Sequence, residues 1–103
     1  MVFIETSVFT KLIQGYLTEE YYLDLQTHLL SRPDAGAIIR GTGGVRKLRW
    51  RVSGKGKSGG IRIIYYWQVS DNEIWMLTAY GKSERDTIPA HILKQIVNEM
   101  KDV

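Results

Sequence analysis

The sequence predicts an α+β domain in which two N-terminal helices pack on a mostly antiparallel sheet. Three observations predict it. Residues 7–30 carry apolar side chains at spacings of three and four, residues 45–80 change to two-fold alternation and dense β-branched and aromatic runs, and residues 89–100 return to helical spacing. The order read from these changes is β-α-α-β-β-β-α, helices stacked on a sheet. A length of 103 residues, 44% of them hydrophobic, suits one domain over 1–103 with an ordinary core.

Each element has a local reason. Val2-Phe3-Ile4 is a short β-favouring run and makes the first strand. Ser7 to Tyr16 reads as a helix with Val8, Leu12 and Tyr16 on its apolar face, its end weakened by Gly15. Thr18 suits an N-cap, and Glu19 and Glu20 follow where a helix dipole favours anions. Tyr22, Leu25 and Leu29 then line a second helix to about Leu30. It closes at Arg32-Pro33, because the residue before proline is pushed out of the helical region.

From Val45 the alternation is two-fold. Leu48, Trp50 and Val52 face one way, and Lys47, Arg49 and Arg51 face the other. Ser53 to Gly60 is a glycine-rich connection carrying Lys55 and Lys57. In the run that follows, Ile61, Ile63, Tyr65, Trp67 and Val69 share one face and Arg62, Ile64, Tyr66 and Gln68 the other. Asp71-Asn72 marks a turn, and Ile74 to Tyr80 is a further strand of a meander. After the polar stretch 81–86, Pro89 suits the first position of a last helix with an apolar stripe of Ile92, Leu93, Ile96 and Met100. The three tryptophans, Trp50, Trp67 and Trp75, alternate with apolar neighbours and read as core, whereas His28 and His91 read as surface.

Composition narrows the chemistry. With no cysteine and two histidines far apart in sequence, a disulfide scaffold, a Cys nucleophile and a zinc enzyme are poor fits. No apolar run approaches the roughly 20 residues of a membrane span, and the N-terminus has no basic leader region, so a soluble cytoplasmic domain is expected. The net charge of +3 hides a strong asymmetry. Residues 35–70 carry eight Lys and Arg and no acid, while the flanking segments are net negative at −3 and −2. Such a block repels itself unless something anionic binds there, nucleic acid or an acidic protein.

Gly56-Lys57-Ser58 is not a P-loop. Arg51 stands where that motif needs its first glycine, and a strand rather than a helix follows. The loop is either solvated or lets Lys55 and Lys57 approach a polyphosphate chain closely. Arg62 is the most informative single residue, since an arginine in an apolar strand must be paired or must face a functional groove. Tyr80, at a strand end beside the basic surface, and Tyr66, on the Arg62 face, are placed to stack on bases.

Taken together these residues resemble a known family. The basic strand Val45-Arg46-Lys47-Leu48-Arg49, the arginine in Gly60-Ile61-Arg62-Ile63-Ile64-Tyr65-Tyr66 and the strand ending Tyr80-Gly81-Lys82 are similar to the RelE/ParE toxin superfamily. Gly41-Thr42-Gly43-Gly44-Val45-Arg46-Lys47, followed by Gly54-Lys55-Gly56-Lys57-Ser58-Gly59-Gly60, looks most like its HigB branch. The resemblance covers nearly the whole chain. It implies a type II toxin, held inactive by a cognate antitoxin, that cleaves messenger RNA in the ribosomal A site. The ribose 2′-OH would attack the adjacent phosphate, with no metal and no cofactor.

Carried over by position, the resemblance makes Arg62 the arginine at the scissile phosphate, Lys47 and Arg49 the basic pair of the preceding strand and Lys82 the lysine of the Gly-Lys step, with Lys55 and Lys57 contributing from the loop. From the residues themselves, Tyr80 is a further catalytic candidate, and Arg46, Arg51 and Arg85 join Lys47 and Arg49 as candidates to bind RNA. Two positions depart from the family pattern. Ser83 stands where an arginine follows the Gly-Lys step, and Pro89 stands where a tyrosine opens the last helix; Tyr80 and Arg85 are candidate replacements. A gyrase inhibitor of the ParE kind and a non-enzymatic RNA- or ribosome-binding module are the alternatives on the same fold.

Overall fold

The computed structural model describes residues 1–51, 60–82 and 87–102. The chain is α+β, with three helices and a five-stranded mixed sheet. In chain order the elements are β1 (Val2–Glu5), α1 (Ser7–Tyr16), α2 (Glu19–Ser31), β2 (Ala37–Ile38), β3 (Val45–Trp50), β4 (Ile61–Gln68), β5 (Glu73–Gly81) and α3 (Ala90–Lys101). The sheet runs β1-β5-β4-β3-β2. β2 to β5 pair antiparallel with their neighbours, and β1 pairs parallel with β5.

Helix starts follow their caps. Thr6 Oγ1 accepts from Phe9 N at 3.0 Å to open α1, and Thr18 Oγ1 accepts from Tyr21 N at 3.2 Å to open α2. Both helices cover one face of the sheet. There Phe9, Ile13, Leu17, Leu25 and Leu29 meet Leu48, Ile61, Ile63, Tyr65, Ile74, Met76 and Ala79 in a continuous core. Full burial of each large side chain contributes about 1.5–3 kcal/mol. α3 covers part of the opposite face, where Leu93 and Val97 pack on Val45, Ile64, Trp75, Leu77 and Tyr80.

Several expectations change. α1 buries Phe9 and Ile13, whereas Val8 and Leu12 are 54% and 38% exposed. Both pairs share a spacing of four, and docking against β1 and β5 selects between them. The short edge strand β2, absent from the expected order, makes the strand count five rather than four. Pro89 is the N-cap of α3 with ψ 136°, just outside the helix rather than its first residue. Val69 lies beyond β4 and is exposed, and Trp50 and Trp67 are only half-buried at the margin of the core.

The β2 edge is held by side chains from its neighbours. The Tyr65 hydroxyl donates to Pro33 O at 2.7 Å and accepts from Gly36 N at 2.9 Å. Burial raises the Tyr65 phenol above its ordinary value, against a weaker opposing pull from its Gly36 hydrogen bond. Gly36 has to be glycine, because a Cβ there would sit 2.9 Å from Tyr65 Cε1 and 3.1 Å from the Lys47 backbone.

Candidate functional site

Cationic residues meet where β3, β4 and β5 run side by side beyond α3. The register pairs Arg49 with Arg62, and Arg62 with Tyr80. Directly opposed residues share a face of the sheet, so the three side chains form one row across three strands, on the face that α3 partly covers. One rung nearer α3, Lys47 stands opposite Ile64, which in turn stands opposite Thr78.

Exposure rises steadily away from the helix. Along β3, Val45 is buried, Lys47 half-buried and Arg49 exposed; along β4, Ile64 is buried and Arg62 half-buried. Tyr80 stands beside Arg62 in the register but is only 7% exposed, packed into the apolar cluster under α3, so its ring is not free to stack on a base as the sequence suggested. Arg51, just past β3, and Lys82, just past β5, are both exposed at the same end of the sheet. Lys82 N approaches Gly60 O at 3.5 Å, which draws the chain after β5 toward the start of β4.

Gly60 permits this convergence. Its φ is +59°, and a Cβ there would strike Trp50 O and lie 2.9 Å from Arg51 Cα. The close approach of β3 and β4 beneath Arg49 and Arg62 therefore depends on glycine at residue 60. Two arginines directly opposite each other are destabilising by roughly 0.2–1 kcal/mol relative to a neutral pair. Side by side at the open end of this face, the two arginines suit a phosphodiester.

Not every candidate joins the row. Arg46 points to the opposite face, where its guanidinium donates to Gly36 O at 2.8 Å and Asp34 O at 3.2 Å and braces the chain before β2. Tyr66 shares the Arg62 face but lies at the far end, 5.3 Å from the Trp75 ring and with the Lys101 ammonium 5.2 Å from its centroid. Lys55, Lys57, Arg85 and the Ser83 departure lie outside the described residues. His28 packs on Trp50 at 5.3 Å on the helix-hairpin side, and His91 is exposed. Among the described residues no helix is long and apolar enough to cross a membrane.

Two residues that the sequence reading passed over hold the site from behind. Thr6 Oγ1 donates to Leu77 O at 2.7 Å, at a bulge in β5, and Tyr16 OH accepts from Gly81 N at 3.2 Å. No sequence signal singles out either, since both read as ordinary residues at the ends of α1. No protein-family model matches the sequence.

Proposed function

We propose that the chain is the toxin of a type II toxin–antitoxin pair, on a RelE-like fold of the HigB kind, and that it cleaves messenger RNA on the ribosome in the cytoplasm. The observation that carries the reading is the Arg49–Arg62–Tyr80 row at the open end of one sheet face, with Lys47, Arg51 and Lys82 around it. In the proposed step the ribose O2′ forms a bond to phosphorus and the P–O5′ bond breaks. The 2′-OH loses its proton to a base, and the departing O5′ gains one. The products are a 2′,3′-cyclic phosphate and a 5′-OH end. Arg62 and Arg49 neutralise the charge that builds on the phosphate oxygens, Tyr80 packs beside Arg62 and steadies it, and the outlying lysines and arginines hold the strand. The inactivating antitoxin would present Asp and Glu to the same cations.

Primer extension on messenger RNA translated with the purified protein tests the reading. New 5′ ends at fixed positions within codons are expected, dependent on ribosomes. Gyrase-dependent double-strand DNA breaks with intact RNA would replace the reading with gyrase inhibition. Ribosome binding without either cut would leave a binding module.

A further inference from the structure

A single extra residue in β5 decides which face Tyr80 reaches. Before it, Ile74 and Met76 lie in the core under α1 and α2, and Trp75 and Leu77 lie under α3. Continued alternation would send Tyr80 to the α1–α2 side with Met76. Instead the register shifts between Ile64 and Tyr65: Met76 pairs with Tyr65 but Thr78 pairs with Ile64, so Leu77 is the inserted residue. The phase then reverses. Ala79 turns into the core under the helix hairpin, and Tyr80 comes up beside Arg62. A bulge of this kind breaks the ladder locally and leaves backbone groups in need of other partners.

Thr6 supplies those partners. Its hydroxyl donates to Leu77 O at 2.7 Å and accepts from Phe9 N as the cap of α1, and its backbone N–H donates to Met76 O at 3.0 Å. At the other end of α1, the Tyr16 hydroxyl accepts from Gly81 N, the residue after Tyr80. α1 therefore grips β5 on both sides of Tyr80. We propose that Thr6 is a positioning residue for the RNA-cleaving row: it fixes the bulge that aims Tyr80 at the face of Arg62 and Arg49, and Tyr16 secures the strand beyond. The kinetic part rests on the nuclease reading; the placement of Tyr80 does not.

The test compares Thr6→Val, which removes the hydroxyl at constant shape, with Thr6→Ser, which keeps it. Thr18→Val serves as a control that deletes the equivalent cap of α2 without touching the bulge. All are assayed well below their melting temperatures. Thr6→Val is expected to lower kcat for RNA cleavage between about tenfold and 10²-fold, the scale of a small misplacement in an active site. Thr6→Ser should restore it and Thr18→Val should leave it unchanged. In a Tyr80→Ala background Thr6→Val should cost nothing further in kcat, since it acts through Tyr80. Independently of activity, nuclear Overhauser contacts between the Tyr80 ring and the Arg62 side chain should persist in the wild type and Thr6→Ser and weaken in Thr6→Val. If Thr6→Val keeps those contacts, or matches Thr18→Val in kcat, the positioning role is overturned and only capping remains. A wild type that cuts no RNA overturns the nuclease reading, and the Tyr80 contacts still decide the role of Thr6.

Discussion

The two faces of the sheet are built on opposite principles. Under α1 and α2 the face is apolar at its centre, with Arg46 and Glu5 only at its margins, and its deeply buried phenol, Tyr65, has both a donor and an acceptor partner. The other face is apolar only beneath α3 and then carries two opposed arginines and a lysine. A row of like charges costs stability wherever it stands, so it persists only where another part of the molecule supplies the surplus. The helix-hairpin face supplies it. Stability and proposed chemistry therefore sit on opposite sides of the same strands, and substitutions should separate them.

The largest expected effect lies on the stabilising face. Phe9→Ala, at a fully buried site in α1, should cost about 3–5 kcal/mol in denaturant unfolding. Any catalytic loss in that variant should vanish once the folded fraction is accounted for. Arg62→Ala should do the reverse. Losing one preorganised donor to a developing phosphate charge lowers the cleavage rate by ~10²–10³-fold, with little change in the melting temperature. Arg62→Lys should recover only part of it, because an ammonium lacks the guanidinium fork. A folded Arg62→Ala that cuts at the wild-type rate would dissolve the division between the faces.

Tyr65→Phe leaves Gly36 N and Pro33 O without their partner and should cost about 1–3 kcal/mol at neutral pH, again without a specific loss of rate. It also carries a pH signature. Burial raises the Tyr65 phenol, and burial together with Glu5 raises that of Tyr22, whose hydroxyl donates to Glu5 Oε2 at 2.5 Å. Both are held neutral in the fold, so the unfolded chain ionises first. Their contribution is intact below the ordinary value of 10.0 and declines as pH rises from there toward the folded values. Urea midpoints of the wild type should fall above that pH, and those of Tyr65→Phe should fall less steeply.

The smallest effect sharpens the comparison most. Arg49→Ala removes the like-charged partner of Arg62, so it should leave stability unchanged or raise it by up to about 1 kcal/mol. The same change should weaken RNA binding and flatten the salt dependence by roughly 0.7 in the slope of log K against log salt, the share of one single-strand phosphate. With about five phosphates held, the wild-type slope should be near −3.5. A destabilised Arg49→Ala with an unchanged salt slope would mean that Arg49 is structural.

By itself the sequence determined the α+β class, the Thr18 cap of α2, the start of α3 near Pro89 to within one residue, the cationic alternation Lys47–Arg49–Arg51 and the placement of Arg62 on the face away from Ile61 and Ile63. These are local facts: a period of two or near four, a capping hydroxyl, a proline. Tertiary structure alone decided the rest. Val8 and Leu12 repeat as well as Phe9 and Ile13 do, and only the docking of α1 on β1 and β5 chose the second pair. Two-fold alternation already separates Arg46 from Lys47, but only the fold supplied the Gly36 and Asp34 carbonyls that take up the Arg46 guanidinium. Tyr80 shows the limit most sharply, because in Ile74 to Tyr80 nothing local marks Leu77 as inserted. At the bulge the Leu77 carbonyl is met by Thr6, far away in the chain, and a period read along one strand holds no record of a partner from another.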